Sequence, residues 1–221
     1  MFPLSDVIPS RTTPFVTIGL IAANTIVFAY ELQLDAEGMR GFVQAFGAIP
    51  MDLRWVTLLT GAFIHDGWIH FGGNMLYLWI FGDNVEDAMG HAAFLAFYLA
   101  AAAAGALGHA ALHPLSPVPL IGASGAIAAV MGTYFVLYPR SQVLTAVFLI
   151  LYLDIVEVPA LFFLGAWFLL QVVSGVAALG AEAAGGTAFA AHVAGFGAGG
   201  VAGLVLRRRT RRWQDATGPR T

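Results

Sequence analysis

The chain contains no cysteine and no lysine, and only 10% of its 221 residues are charged. Without cysteine there are no disulfides and no thiolate metal sites, and nothing points to a redox compartment. The scarcity of charge excludes an ordinary water-soluble domain, since such domains carry about 25% charged residues. What fills the space is apolar: 59% of residues are hydrophobic and the mean hydropathy is +0.79. With lysine absent, all ten basic residues are arginines, and five of them crowd into Arg207, Arg208, Arg209, Arg211 and Arg212, directly behind the last apolar run. An arginine run can bind nucleic acid, but behind a bilayer-length segment it reads as a cytoplasmic stop under the positive-inside rule. No nucleic-acid partner is expected. Residues Met1 to Thr13 lack the basic start of a signal peptide, and Pro3, Pro9 and Pro14 predict an irregular arm.

About 20 apolar residues cross the hydrocarbon core, and the chain offers about six such stretches. They lie near Phe15 to Tyr30, Trp68 to Phe81, Ala92 to Leu112, Gly122 to Pro139, Val158 to Leu179 and Thr187 to Leu206. Two segments do not fit. The polar connection from Glu31 to Trp55 is too long for a turn and is expected to hold structure of its own. Val143 to Glu157 reads as an interfacial or re-entrant piece with no assignable role. Six crossings place both ends on the arginine side, together with Arg140 and the acidic stretch Asp83 to Asp87, which weighs little in the orientation rule.

Polar groups inside such segments mark function by default. Ser124 lies fifteen residues before Pro139, and His192 fifteen before Arg207, so both stand about 22 Å from the cytoplasmic boundary at 1.5 Å per residue. His70, thirteen residues from Asp83, stands at about 20 Å. Three polar residues from three segments thus share one depth in the outer half of the membrane. They can also approach. Gly195, Gly199 and Gly203 form a smooth face on the sixth segment, and Ser124, Ala128 and Gly132 match it on the fourth, beside Gly125. Small-residue faces also serve plain helix packing, and a lone serine often bonds its own helix backbone.

Matched in height and face, Ser124 and His192 read as a nucleophile and its base. His70 and Asn74, one turn apart, and the backbone N–H of Ser124 are candidate donors for an oxyanion. No carboxylate is placed to orient His192, since Asp154, Glu157 and Glu182 fall at membrane edges and Asp66 precedes the second segment. A Ser–His dyad is therefore expected. Gly-x-Ser-Gly by itself invites confusion with a nucleophile elbow, which requires a preceding strand that Pro117-Val118-Pro119 opposes.

Three stretches together carry a resemblance: His70-Phe71-Gly72-Gly73-Asn74, Gly122-Ala123-Ser124-Gly125, and Ala191-His192-Val193-Ala194-Gly195 followed by Gly199. They resemble the rhomboid family of intramembrane serine proteases in its bacterial six-helix form, over about Phe15 to Leu206. The resemblance implies an all-α membrane protein, six helices around a short central fourth, with a water-filled cavity open to the outside. It implies Ser124 as nucleophile, His192 as general base and then acid, and His70, Asn74 and the Ser124 amide as oxyanion hole. Substrates would be single-span membrane proteins cut near the outer boundary, with no metal or cofactor. Two departures stand out. Where many members carry a tyrosine one turn after the serine, this chain has Ala128, so His192 is expected to lean on Phe189, Phe196 or Tyr134. The Trp-Arg pair of the first loop is replaced by Arg54-Trp55.

The expected organisation is an N-terminal cytoplasmic arm over 1–13, a six-helix membrane domain over 14–206 and a basic cytoplasmic tail over 207–221. The protein would sit in the inner or plasma membrane as a multi-pass chain, with the bilayer and transmembrane substrates as partners; oligomeric state and substrate identity are not legible. Two other classes are weighed. A catalytically silent relative that binds transmembrane helices for quality control would usually have lost the serine or the histidine. A transporter would carry polar residues on through the cytoplasmic half, where the fourth segment offers Thr133, Tyr134 and Tyr138 and the sixth offers none. Of the remaining residues, His65 is expected to support the first loop, Asn24 to bond between helices, and Trp68, Tyr77, Trp79, Phe81 and Trp167 to face lipid or the interface. His91, His109 and His113 read as interfacial or loop residues.

Overall fold

The computed structural model describes residues 2–149, 152–178 and 187–217. Helix α1 (Phe15–Glu31) is followed by the first loop, which carries α2 (Ala36–Phe46) and the single turn α3 (Thr57–Thr60). Four long helices and a short one complete the bundle: α4 (Trp68–Met89), α5 (His91–Leu112), α6 (Ser124–Leu137), α7 (Ala160–Ala178) and α8 (Thr187–Thr217). By length and composition, His91–Leu112, Ala160–Ala177 and Phe189–Arg207 can each cross a membrane, and α1 and α6 are shorter apolar helices. The apolar side chains Leu161, Phe162, Leu169, Leu170, Val173 and Val176 of α7 are exposed, as suits a lipid-facing helix. This is a multi-pass membrane protein.

Helix α6 occupies the interior. Every residue from Gly125 to Tyr134 is buried, and the helix touches α4, α5, α7 and α8. Its 14 residues span only about 21 Å, short of the roughly 30 Å hydrocarbon core. Around it pack Leu78, Phe81 and Val85 of α4, Phe94 and Tyr98 of α5, Leu164 of α7 and Phe196 of α8.

The small-residue faces meet as their spacing predicts. A methyl group on Gly195 would collide with the Gly125 carbonyl, one on Gly199 with the Ala129 carbonyl, and one on Gly132 with the Phe196 carbonyl. The α6 and α8 backbones are therefore in direct contact. Thr133 joins them further, its Oγ1 donating to the carbonyls of Gly199 (2.9 Å) and Ala129 (3.0 Å).

Three expectations are corrected at the end of the bundle opposite Ser124. The fold is not all-α: a three-stranded antiparallel sheet forms from β1 (Phe2–Asp6), β2 (Gln142–Leu149) and β3 (Tyr152–Pro159), in the order β1-β2-β3. The N-terminal arm thus begins as a strand, Phe2–Asp6, and is irregular only from there to α1. Pro3 is tolerated because β1 is an edge strand with an irregular register between Pro3 and Ser5. The segment expected to be interfacial or re-entrant is the β2–β3 hairpin, whose β-branched residues Val143, Thr145, Val147, Ile155, Val156 and Val158 favour strand. Asp6 ties the sheet to the core by accepting a hydrogen bond from the Tyr134 hydroxyl at 2.6 Å. Burial raises the Asp6 carboxyl above its ordinary value, while the Tyr134 bond opposes that shift.

The acidic stretch also has a structural cause. Glu86 caps α1 across the helix boundary, accepting from the backbone N–H of Val16 (2.9 Å) and Thr17 (2.8 Å) and from the Thr17 hydroxyl (2.7 Å). Asp87 accepts from the backbone N–H of Arg11 and Thr12, and Asp83 from the Ser10 hydroxyl. Asn24 bonds its own helix, to the Leu20 carbonyl at 2.8 Å, rather than a neighbour. Arg207 belongs to α8, so the helix continues past the apolar span into the basic tail.

On the Ser124 side, the first loop is tied down by Arg54, which donates to the carbonyls of Gln44 and Ala45 at the end of α2. His65, in the loop before α4, is 1% exposed and packs against Phe28, Phe71 and His70. Burial, with His70 beside it, lowers its pKa to about 4.

Two outcomes follow. Replacing Gly199 by alanine should lower the thermal midpoint in detergent by the equivalent of about 1–3 kcal/mol, because backbone on both helices must shift. Gly197→Ala, which meets open space, should leave the midpoint unchanged. His65 takes up a proton more readily unfolded than folded, so its contribution to stability is complete above its ordinary pKa of 6.5 and is lost as pH falls toward about 4. Thermal midpoints measured across that window should fall in the wild type and fall less steeply in His65→Leu; equal slopes would show that another group titrates.

Candidate active site

The approach to Ser124 is a stretch of extended chain pinned on both sides. Leu120 pairs with Ala48 in an antiparallel bridge, with N–H···O distances of 2.8 and 3.0 Å, and Gly122 donates to the Gly61 carbonyl at 2.9 Å. Gly122 then turns with φ of +109°, a conformation that glycine adopts without strain. A side chain there would also meet the His70 ring, since a methyl would lie 2.6 Å from Nε2. Position 122 therefore admits glycine on two independent grounds. The turn delivers Ser124 as the first residue of α6, where the first-turn N–H groups have no intrahelical acceptor.

His192 lies near the start of α8, across the glycine contact. Its Nε2 is 2.7 Å from Ser124 Oγ. Its Nδ1 is 2.8 Å from Oε1 of Gln171 on α7, and the Trp167 ring lies against it at 5.7 Å between centroids. The expected supports are corrected here. Tyr134 points the other way, to Asp6 and Ser141. Phe196 acts one step removed, stacking on Trp167 and Phe168. Phe189 makes no ring contact with His192 and packs toward Gly175. Trp167, assigned to lipid from the sequence, instead lines the site.

His70 and Asn74 of α4 face the same space. A cavity of about 360 Å³ is bounded by Ile69, His70, Asn74 and Tyr77 of α4, Ser124 and Met131 of α6, Trp167 of α7 and His192 of α8, among others. The backbone N–H of Asp66 donates to His70 Nδ1 at 3.2 Å, so the lone pair sits on Nδ1 and the ring proton on Nε2. Nε2 is the atom beside Gly122. Asn74 Nδ2 is buried and has no hydrogen-bond partner among the described residues. Two N–H donors without an assigned acceptor thus border the Ser124 end of the cavity, and a buried donor left unpaired is costly unless something arrives to accept from it.

Chemically, the arrangement is a hydroxyl within reach of an imidazole nitrogen, flanked by donors and open space. Among the described residues, no three His, Asp or Glu side chains cluster so as to hold a metal ion. Gln171 was not anticipated from the sequence, where a carboxylate or the rings of Phe189, Phe196 and Tyr134 were the partners considered for His192. Its signal was there, as a lone carboxamide in an otherwise apolar helix.

Comparison with known proteins places the chain in a family. A model of the rhomboid domain matches residues 52–209, which contain every residue placed at the site. The chain is 36% identical over 97 residues to Rhomboid protein 1, mitochondrial, of Saccharomyces cerevisiae, covering 42% of this chain and 28% of that protein. It is 42% identical over 92 residues to Rhomboid protease GluP of Bacillus subtilis, covering 40% of this chain and 18% of that one. It is 31% identical over 143 residues to RHOMBOID-like protein 12, mitochondrial, of Arabidopsis thaliana, covering 57% and 42% respectively. The chain thus spans less than half the length of each of these relatives. With a domain match over most of its length, and with the serine, histidine and glycine positions of the resemblance meeting in space, the chain belongs to the rhomboid family.

Proposed function

We propose that the protein is an intramembrane serine endopeptidase that hydrolyses peptide bonds of single-span membrane proteins near the outer membrane boundary. The observation that carries this reading is the 2.7 Å contact between Ser124 Oγ and His192 Nε2. In this reading α1, α4, α5, α7 and α8 surround the short α6 to make six crossings in all, and both termini lie on the arginine-rich cytoplasmic side of the plasma membrane. The sheet is then cytoplasmic, and the short α6 carries Ser124 below the outer surface, where water enters through the cavity.

The steps balance as follows. Ser124 Oγ attacks the substrate carbonyl carbon and its proton passes to His192 Nε2. The carbonyl oxygen becomes an oxyanion, for which His70 Nε2–H, Asn74 Nδ2–H and the Ser124 N–H are the donors. The intermediate collapses, the C–N bond breaks, and the Nε2 proton leaves with the amine. Water then repeats the sequence on the acyl-enzyme, giving its proton to Nε2 and restoring the serine. No side chain of the resting dyad is charged, which suits a site between lipid-embedded helices, and the imidazolium and oxyanion arise together and are discharged together as the intermediate collapses.

Two experiments test this. Detergent-solubilised wild type should be labelled covalently by a fluorophosphonate probe, and Ser124→Ala and His192→Ala should not. Failure to label wild type whose thermal melt shows a folded protein would sink the hydrolase and favour a silent helix-binding role. Asn74→Ala should slow labelling by about a hundredfold, the usual scale for one oxyanion donor, with the thermal midpoint kept. An unchanged rate would remove Asn74 from the oxyanion hole.

A further inference from the structure

The dyad lacks the carboxylate that conventionally fixes a catalytic histidine, and it lacks an aromatic ring at Ala128. Something must nevertheless choose between the two neutral tautomers of His192. Only the form protonated on Nδ1 leaves a lone pair on Nε2 to accept the Ser124 proton.

We propose that Gln171 is the positioning residue of this site, its carboxamide oxygen holding the Nδ1 proton of His192 and thereby fixing Nε2 as the base toward Ser124. This rests on the proposed hydrolase reading for its catalytic meaning, but on geometry for the positioning itself. Three observations on α7 carry it. Gln171 Oε1 is 2.8 Å from Nδ1, on the side of the ring opposite the 2.7 Å contact to Ser124, so both nitrogens are engaged at once. Trp167 stands one turn earlier on the same face, with its ring 5.7 Å from that of His192, limiting its rotation. Gln171 is partly buried, and on its far side it borders an apolar recess of about 290 Å³ lined by Gly108, Val172, Phe189 and Val193. Among the described residues the other polar side chain lining that recess is His113, whose Nδ1 lies 3.3 Å from the His109 carbonyl oxygen.

The proton inventory is simple. Ser124 gives its proton to Nε2 as the new C–O bond forms, and Nε2 passes it to the departing amine as the C–N bond breaks. The Nδ1 proton stays on His192 throughout, bonded to Gln171 Oε1, and Gln171 itself gains and loses nothing. An amide does here what a buried carboxylate does in the triads of water-soluble proteases, without placing an ionised group between lipid-embedded helices. If the amide were turned round, its NH₂ would donate to Nδ1. The ring proton would then sit on Nε2, and Ser124 would have no base.

Because Gln171 and Trp167 both belong to α7, the base is held by a different helix from the one that carries it. Displacing α7 would release the ring even with α6 and α8 unmoved, which links the posture of this outer helix to the competence of Ser124.

The test uses the full chain in detergent. Histidine labelled with ¹⁵N distinguishes the Nδ1–H and Nε2–H tautomers, and subtraction of the His192→Ala spectrum assigns the signal among the six histidines. Wild type should show His192 as Nδ1–H. Gln171→Leu and Gln171→Met, both near the original size, should show a mixture and label with fluorophosphonate about 10- to 100-fold more slowly, at an unchanged thermal midpoint. Gln171→Glu, which keeps an acceptor oxygen, should restore labelling to within about threefold of wild type, on the same scale for an orienting partner. An Nε2–H signal in wild type, or a tautomer and a labelling rate indifferent to both apolar substitutions, would overturn the proposal. If wild type is never labelled while the tautomer still depends on residue 171, the hydrolase reading falls and the positioning stands.

Discussion

The direct contact between the α6 and α8 backbones is the constraint on which the site depends. Ser124 and His192 come from helices far apart in sequence, and a 2.7 Å hydrogen bond between their side chains tolerates little error in the spacing of those helices. Lipid supplies no hydrophobic drive to press one apolar helix on another, so closeness must come from surface shape. Gly132, Gly195 and Gly199 supply it, each facing backbone where a methyl group would not fit. Thr133 adds a hydrogen bond across the same seam. Ordinary side chains along this contact would hold the helices apart and the serine out of reach of the imidazole.

A second constraint governs the choice of polar groups. Between the helices the chain uses serine, histidine, asparagine and glutamine, and places most carboxylates at helix ends or in loops. Those carboxylates have structural duties: Glu86 caps α1, Asp83 and Asp87 hold the segment before it, and Asp6 anchors the sheet to Tyr134. Within the site, neutral groups must be oriented by other neutral groups. The Asp66 N–H sets the tautomer of His70, and Gln171 faces the Nδ1 of His192. Each histidine thus has one ring nitrogen tied to a fixed partner and the other turned to the reacting space.

The site and its approach are assembled from both halves of the fold. Ala48 and Gly61 of the first loop hold the strand-like approach to Ser124, α4 brings His70 and Asn74, and α7 brings Trp167 and Gln171. The loop is therefore part of the scaffold of the site, and Arg54 serves it by fastening the end of α2.

By itself the sequence determined the membrane character, the helical segments, and the pairing of Ser124 with His192. These follow from local rules: apolar runs of bilayer length, glycine at every fourth residue, and equal residue counts to the ends of the apolar runs. Helical rise converts such counts directly into height, so depth is legible along one chain. Azimuth and partner choice are not, because they depend on which neighbour each face meets. Only the tertiary structure decided that His192 leans on Gln171 and Trp167 rather than on Phe189, Phe196 or Tyr134, and that Asn24 bonds its own helix. The sheet was hidden for a related reason. An apolar run interrupted by Asp154 and Glu157 has no fixed conformation until a partner strand fills its hydrogen bonds, and β1 lies more than a hundred residues away in the chain.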